Sequence, residues 1–555
     1  MADFPWIAQY PKGIPAKIEI DQYNSLLELF EECFENYADR PAYENMGKIL
    51  TYGQIDSLST NFAAYLQHEF NLKKGDRIAI QMPNCLQYPI ALIGSLKAGL
   101  VVVNTNPLYT PREMEHQFKD AEVSAILVIS NFASNLEKVL PNIDTKKIIV
   151  TGLGDMLGGL KGALVNFVVK KIKKMVPKYN IPMAVSFKQV LKKGAKYQYV
   201  RPEMNKDDLA FLQYTGGTTG VSKGAMLSHR NIVNHTIQIN HWFSPLMKES
   251  DREVILTAIP LYHIFALTVN GILFFKTGAK NVLITNPRDM PGFIKELKKH
   301  QITIFTGVNT LFNGLLNQKN INEVDFSKLK ASIGGGMAVQ DFVAKKWKEV
   351  TGCTLCEGYG LSETSPVLSV NPLDRTEQIG TIGLPMPSTE MGIFDEEGKQ
   401  LKQGEIGEIC ARGPQVMSGY WKLDNNGVFF DKEWFRTGDV GMMQEDGFFK
   451  IVDRKKDMIN VSGFNVYPNE IENVLADHPK VLEVAVVGVP DAKSTEVVKA
   501  FIVKSDPSLT EEEINQYCNE NLTGYKQPKH VEFRAELPKS NVGKILRRIL
   551  KEEIN

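Results

Sequence analysis

A chain of 555 residues, 43% hydrophobic and 23% charged, has the composition of an ordinary globular protein with several domain-sized units. Its 64 basic and 64 acidic residues balance, so no overall field draws it to nucleic acid, and any bound anion has to be held locally. Six scattered cysteines argue against a disulfide scaffold, and the opening MADFPWIAQYPKG, without a basic n-region or apolar h-region, sets the expectation of a cytoplasmic location.

From residue 76 the chain alternates β-branched runs with helix-length amphipathic segments: DRIAIQMP, LQYPIALIGSLKAG, LVVVNTNP, TPREMEHQFKDAE and SAILVIS. That alternation predicts βαβ units and a parallel sheet covered on both faces. After the strand KKIIV, the stretch GLGDMLG (Gly152 to Gly158) imitates a dinucleotide fingerprint, but its third glycine falls one place late and it reads as a plain turn. Leu157 to Lys178 then sets Leu160, Leu164, Phe167, Val168, Ile172 and Met175 at helical spacing, with Lys170, Lys171, Lys173 and Lys174 clustered toward one end. Two readings stand: an interfacial helix meeting an anionic membrane, or a surface helix whose lysines are merely solvated.

Directly after the apolar run AFLQ, Tyr214 to Met226 reads YTGGTTGVSKGAM. Each glycine costs a helix about 1 kcal/mol against alanine, so no regular element needs this composition. Unhindered backbone N–H groups flanked by hydroxyls and one lysine are what a polyphosphate requires. A Walker A loop is disfavoured, because Lys223 follows Ser222 and precedes Gly224 rather than standing in Gly-Lys-Ser/Thr. The uncharged run Val254 to Phe275 is long enough to span a bilayer, yet Pro260, His263, Asn270 and Gly271 favour a buried strand, turn and helix.

The βαβ rhythm returns in VLITNP, DMPGFIKELKKH, ITIFTGV and LKASIGGGM. The pair Cys353 and Cys356 lacks a second pair to complete four metal ligands and reads as part of a buried strand. After Gly383, MGIFDEEGK, GEIGEICARG and DGFFKIVDR predict antiparallel hairpins. A separate α+β unit is predicted from Asp453, with NEIENVLADHP and LTEEEINQYCNENL as helices and LEVAVVGVPD, VVKAFIVK and HVEFRAE as strands. The expected architecture is therefore α/β: a large N-terminal domain, residues 1–452, of βαβ-type sheets with an associated antiparallel β subdomain, and a small mobile C-terminal domain, residues 453–555.

YTGGTTGVSKG resembles the phosphate loop of the adenylate-forming enzymes, the group of acyl-CoA synthetases, luciferases and peptide-synthetase adenylation domains. GYGLSETSP (Gly358 to Pro366), WFRTGD (Trp434 to Asp439), DRKKDMINVSGFNVYPNEIE (Asp453 to Glu472) and PKSNVGKILRR (Pro538 to Arg548) follow in that group's order. NPLYTPRE, IPLYHIFAL, LITNPRD, GVNTLFN, GPQVMSGYW and LTGYKQPK are similar to the long-chain fatty-acid–CoA ligase branch.

The resemblance implies ATP, Mg2+ and coenzyme A as cofactors and a long-chain fatty acid as substrate, activated as acyl-AMP and then transferred to a thiol. It leaves open a medium-chain or aryl acid, a carrier-protein acceptor, peripheral contact with the cytoplasmic face of the inner membrane, and the oligomeric state, a homodimer included. Tyr214, Thr215, Gly216, Gly217, Thr218, Thr219, Gly220 and Lys223 would wrap the triphosphate, with Thr215 and Lys223 also acting in catalysis. Lys544 matches the adenylation lysine and Glu363 the Mg2+ carboxylate. Gly334, Gly335, Gly336, Gly358, Tyr359 and Gly360 would border the adenine, and Asp439 and Arg454 the ribose. His263 is implied as a gate between acyl carboxylate and thiol, with a role as base left open. Val308, Thr310, Met337 and Pro366 would line the acid channel, Lys456 would sit at the hinge, and rotation would carry Gly463 and Phe464 to the thiol tunnel.

Overall fold

The computed structural model describes residues 4–215, 222–247, 252–374, 376–431, 433–491, 493–540 and 543–554. Two large sheets follow the expected βαβ rhythm. One has the spatial order Val185–Ser186, Ile148–Thr151, Ala125–Ile129, Arg77–Gln81, Val101–Asn104, Leu209–Thr215 and Lys223–Ser228; all its pairings are parallel except the last. Strands such as Val101–Asn104 and Ala125–Ile129 are buried at every position. Their continuous apolar runs fit a sheet covered on both faces.

The other large sheet has nine strands, running from Leu384–Pro385 through Val367–Val370, Leu355–Gly360, Ala331–Gly334, Ile304–Gly307, Val254–Thr257, Lys280–Leu283 and Pro41–Asn45 to Lys48–Thr51. Three of its parallel strands end at the glycine-rich turns Gly307, Gly334 and Gly358–Gly360. Ligands of open α/β sheets bind beyond such carboxyl ends.

The run Val254 to Phe275 forms the strand Val254–Thr257, a turn through Pro260, and the helical stretch Ala266–Lys276, whose first two turns are π-helical. Among the described residues no helix is long and apolar enough to cross a membrane. All six cysteines are buried and unpaired, and Cys356 lies in the strand Leu355–Gly360.

The hairpins expected after Gly383 form an antiparallel sheet of Glu390–Phe394, Gly407–Arg412, Trp434–Met443, Phe429–Phe430 and Phe449–Arg454. Within it Asp439 stands directly across from Arg454. The chain then enters a fourth sheet at Ile459–Val461.

Alternation along two long strands builds that last domain. Val484, Val486, Val498, Ala500 and Ile502 face the helices Pro468–Ala476 and Glu511–Asn521, through Ile471, Leu475, Ile514 and Cys518. The intervening residues Ala485, Val487, Val489, Phe501 and Val503 face Leu537 and Leu550. Those two leucines bracket the segment that carries Lys544, so apolar burial anchors the expected adenylation lysine from both sides.

Candidate active site

Asp439 is 4% exposed and lies where three parts of the fold meet. Its Oδ2 accepts the Tyr359 hydroxyl at 2.7 Å, and its Oδ1 lies 3.2 Å from Arg454 Nε. Tyr359 comes from the nine-stranded sheet, whereas Asp439 and Arg454 are cross-strand partners in the antiparallel one.

From the terminal segment comes Lys544. Burial, then the repulsion of Arg454, lower its pKa to about 7, with Asp439 opposing and Lys456 and Arg547 adding repulsion. Burial and Arg454 likewise bring Lys456 down to about 8. Three basic side chains therefore share the neighbourhood of Asp439, with Asp457 acting on Lys456 and the buried Glu363 coupled to Arg454.

His263 lies half-buried within reach of the Lys544 charge, and burial followed by that charge brings its pKa down to about 4. The Phe265 N–H donates to His263 Nδ1 at 3.3 Å, which assigns the proton of the neutral ring to Nε2. In that tautomer neither nitrogen offers a free lone pair, as a base must. The ring of Phe265 in turn packs on Gly335, where an added Cβ would stand 3.2 Å from it and 3.3 Å from the Gly358 carbonyl oxygen. Gly360 admits no side chain either, since its Cβ would lie 1.9 Å from the Pro366 carbonyl oxygen. Gly336 has φ +78°, in the left-handed region that glycine supplies. Together the glycines hold the turns Gly334–Gly336 and Gly358–Gly360 in close approach.

Glu363 is buried in a short helical turn, Ser362–Thr364, and burial raises its pKa while the Tyr420 hydroxyl opposes that rise. Tyr420 donates to Glu363 Oε1 at 2.6 Å, and Lys223 Nζ lies 5.2 Å from the centre of the Tyr420 ring. The Met417 N–H donates to the Glu363 carbonyl at 2.8 Å, and the Trp421 N–H to that of Gly224 at 2.8 Å. Tyr420 thereby joins the expected metal carboxylate to the end of the phosphate loop. The sequence reading missed it although GPQVMSGYW contains it, because a tyrosine in a strand-like run carries no sign of its partner.

The loop residues Gly216, Gly217, Thr218, Thr219 and Gly220 lie outside the described residues. Thr215 and Lys223 stand opposite each other at the two ends of that loop. Tyr214 turns away from it: its ring packs in the core beside Gly224, and its hydroxyl donates to Asp120. What Tyr214 offers a nucleotide is its backbone.

Val308 is buried and Met337 is half-buried against the same apolar cluster. Pro366 lies apart from them in the hydrogen-bonding of the Glu363 turn, its carbonyl accepting from the Leu361 N–H at 3.1 Å and from the Thr364 hydroxyl. The Thr310 hydroxyl donates to the Gly543 carbonyl oxygen at 3.2 Å, next to Lys544. Gly463 and Phe464 are exposed and hold contacts within their own domain, Gly463 with Asn460 and Phe464 stacked on Tyr525.

Two family models match in succession: AMP-binding enzyme over residues 30–421 and AMP-binding enzyme C-terminal domain over residues 470–544. The chain belongs to the AMP-binding enzyme family. It is 56% identical over 549 residues to a long-chain-fatty-acid–CoA ligase of Escherichia coli O157:H7, covering 99% of this chain and 98% of that one. Among solved structures, anthranilate CoA ligase AuaEII in complex with anthranoyl-AMP superposes with a TM-score of 0.84 at 24% identity, over 96% of this chain and 98% of the other, a likeness of fold. ATP-bound MatB from Rhodopseudomonas palustris follows at 0.81 and 26% identity, over 95% and 98%.

As an AMP-binding enzyme of the acid–CoA ligase kind, the protein uses ATP, Mg2+ and CoA. Glu363 is the carboxylate that would hold the metal. Among the described residues no cluster of three or more acidic, histidine or cysteine side chains could cage an ion, and a single carboxylate suits Mg2+ held chiefly by substrate phosphates.

Two outcomes test this geometry. Tyr420→Phe removes the hydroxyl from a charged acceptor, a bond worth about 1.5–3 kcal/mol, so fatty-acid-dependent ATP–pyrophosphate exchange should fall roughly tenfold to a hundredfold and require more Mg2+. An unchanged Mg2+ titration would show that the hydroxyl does not steady Glu363. Lys544, with a pKa of about 7 against 10.5 for an ordinary lysine, is largely neutral at pH 8. An amine-directed reagent at that pH should label it ahead of ordinary surface lysines, more slowly as pH falls through 7, and more slowly still with ATP present, since a triphosphate favours the ammonium. Peptide mapping of the labelled protein reads all three effects.

Proposed function

We propose that this enzyme joins a long-chain fatty acid to CoA in two steps at the Asp439 centre. In the first, a carboxylate oxygen of the acid bonds to the α-phosphorus of ATP and the bond to pyrophosphate breaks, giving acyl-AMP. In the second, the CoA sulfur bonds to the acyl carbon, the bond to AMP breaks, and the thiol proton is released. A carboxylate is a poor electrophile, and passing through a mixed anhydride divides one difficult step into two easier ones.

The observation that carries this reading is the delivery of Lys544, from a domain of its own, to the cluster of Asp439, Arg454 and Lys456. There its ammonium would offset the charge that grows on the reacting phosphate. Asp439 and Arg454 would hold the ribose, and Thr215 and Lys223 the phosphates. Glu363 would bind Mg2+, which when present screens the phosphate oxygens. His263, neutral and with Nδ1 already engaged, would act as a gate rather than a base. Withdrawal of a lid formed by residues 453–555 from the body of 1–452, turning at Lys456, would then remove Lys544 and present Gly463 and Phe464 to the thiol.

The long-chain preference rests on the 56% identity to a ligase of that name and on the apolar character of Val308 and Met337. An apolar channel rewards each buried methylene by about 0.8 kcal/mol. Thioester formation across acids of graded length should therefore climb in kcat/KM through the medium chains and be highest among long ones. A maximum with short or aryl acids would overturn the substrate assignment.

The second feature of the reading is a surface for anionic lipid. The helix Gly159–Phe167, continued by a π-helical turn over Val168–Ile172, leaves Leu160 91%, Leu164 61%, Phe167 55% and Ile172 64% exposed, with Met175 beyond them at 54%. Lys170, Lys171, Lys173 and Lys174 are exposed in the same stretch. Water-facing leucine and phenylalanine flanked by lysines match an interfacial helix better than a solvated one. Each lysine near an anionic surface adds about 1 kcal/mol. Changing all four to glutamine should abolish flotation with anionic vesicles at physiological salt while thioester formation from dispersed substrate persists; equal flotation would end the idea.

A further inference from the structure

The geometry points to Thr310 as a positioning residue for the adenylation half-reaction: its hydroxyl holds the hairpin that carries Lys544 in the seated position. This rests on the assignment of Lys544 to acyl-AMP formation.

Thr310 lies in the first turn of the helix Asn309–Leu316, whose amino end has no side-chain cap. Its hydroxyl donates instead to the Gly543 carbonyl oxygen, 3.2 Å away and 233 residues along the chain. The neighbouring Asn309 is committed elsewhere, exchanging hydrogen bonds with Gln340 at 3.0 Å each. On the other side of the contact Gly543 has φ +82°, and an added Cβ would stand 2.4 Å from the Thr310 hydroxyl and 3.4 Å from a Val308 methyl. The main chain therefore meets the large domain here without an intervening side chain.

Gly543 belongs to a closed hairpin. Its N–H donates to the Ser540 carbonyl at 3.0 Å, the Ser540 N–H to the Lys544 carbonyl at 2.7 Å, and the Lys544 N–H to the Ser540 hydroxyl at 3.1 Å. The Leu546 N–H closes the base onto the Pro538 carbonyl at 2.8 Å. A unit so tied moves as one piece, so fixing one carbonyl fixes the Cα from which the Lys544 side chain extends. Thr310 touches neither nucleotide nor acid through this bond. It biases the equilibrium between seated and withdrawn lid toward the seated state, and only the first half-reaction needs that state.

The test compares Thr310→Val, which keeps volume and β-branching but loses the donor, with Thr310→Ser, which keeps the donor. Fatty-acid-dependent ATP–pyrophosphate exchange reads the first half, and thioester formation from supplied acyl-AMP reads the second. The valine variant should lose about fivefold to tenfold in exchange, the effect of one ordinary hydrogen bond on an equilibrium, and lose clearly less in the second half. The serine variant should recover most of the exchange. Unchanged exchange in Thr310→Val, or equal losses in both halves shared by the serine variant, overturns the inference and makes Thr310 an ordinary wall residue. Lys544→Ala runs alongside: if exchange survives in that variant, the role given to Lys544 fails first and the positioning role falls with it.

Discussion

The centre of this molecule depends on giving one carboxylate its partners almost out of water. Asp439 is 4% exposed, and a buried carboxylate without partners costs several kcal/mol. Its partners come from places far apart in the chain: a hydroxyl from Tyr359 at the end of a parallel strand and a guanidinium from Arg454 across an antiparallel ladder. The Lys544 ammonium, from a hairpin in the last domain, adds its attraction. Satisfying Asp439 draws two sheets and the terminal hairpin toward one point, and that point coincides with the carboxyl ends of the parallel strands, where backbone amides and glycine turns leave room for a ligand.

The same clustering carries a cost for its cations. Burial first, and then the nearness of Arg454, makes Lys456 and Lys544 hold their protons less tightly, at about 8 and about 7, with Asp439 opposing both shifts. Buried cations next to glycine turns would suit a polyanion that arrives from outside, and the Tyr420–Glu363 pair sets a carboxylate near Lys223, at the end of the expected phosphate loop.

Periodicity and punctuation made the fold legible. Runs such as LVVVNTNP and SAILVIS are buried at nearly every position of the strands they form, and the alternation in LEVAVVGVPD sends valines to two different cores. Sequence spacing tells which face a residue occupies and says nothing about what lies opposite. Tyr214 stood in a motif that suggested a ligand contact, yet strand alternation turns its ring into the core toward Asp120. Tyr420 meets Glu363 from 57 residues away and Thr310 meets Gly543 from 233, through a bulge, a crossover and a domain junction that no local pattern encodes. The π-helical turns at Val168–Ile172 and Ala266–Leu273 are equally silent in the sequence, because insertion of one residue into a helical turn leaves the apolar pattern almost unchanged.

The lowered pKa of Lys544 also bears on how one active centre can serve two incompatible reactions. Seating an ammonium beside two other cations is unfavourable while the cleft holds no anion, and the weak hold of Thr310 on Gly543 is of the size that such repulsion can overcome. A triphosphate reverses the balance, since each phosphate oxygen near Lys544 restores its proton and its reason to stay. Departure of pyrophosphate would restore the cost, and the hairpin, tied internally but held to the large domain by ordinary contacts, would be free to withdraw as a unit. On the proposed mechanism, charge carried in by one substrate and out by its product would set the direction of the lid, without any element of the fold having to be strained in advance.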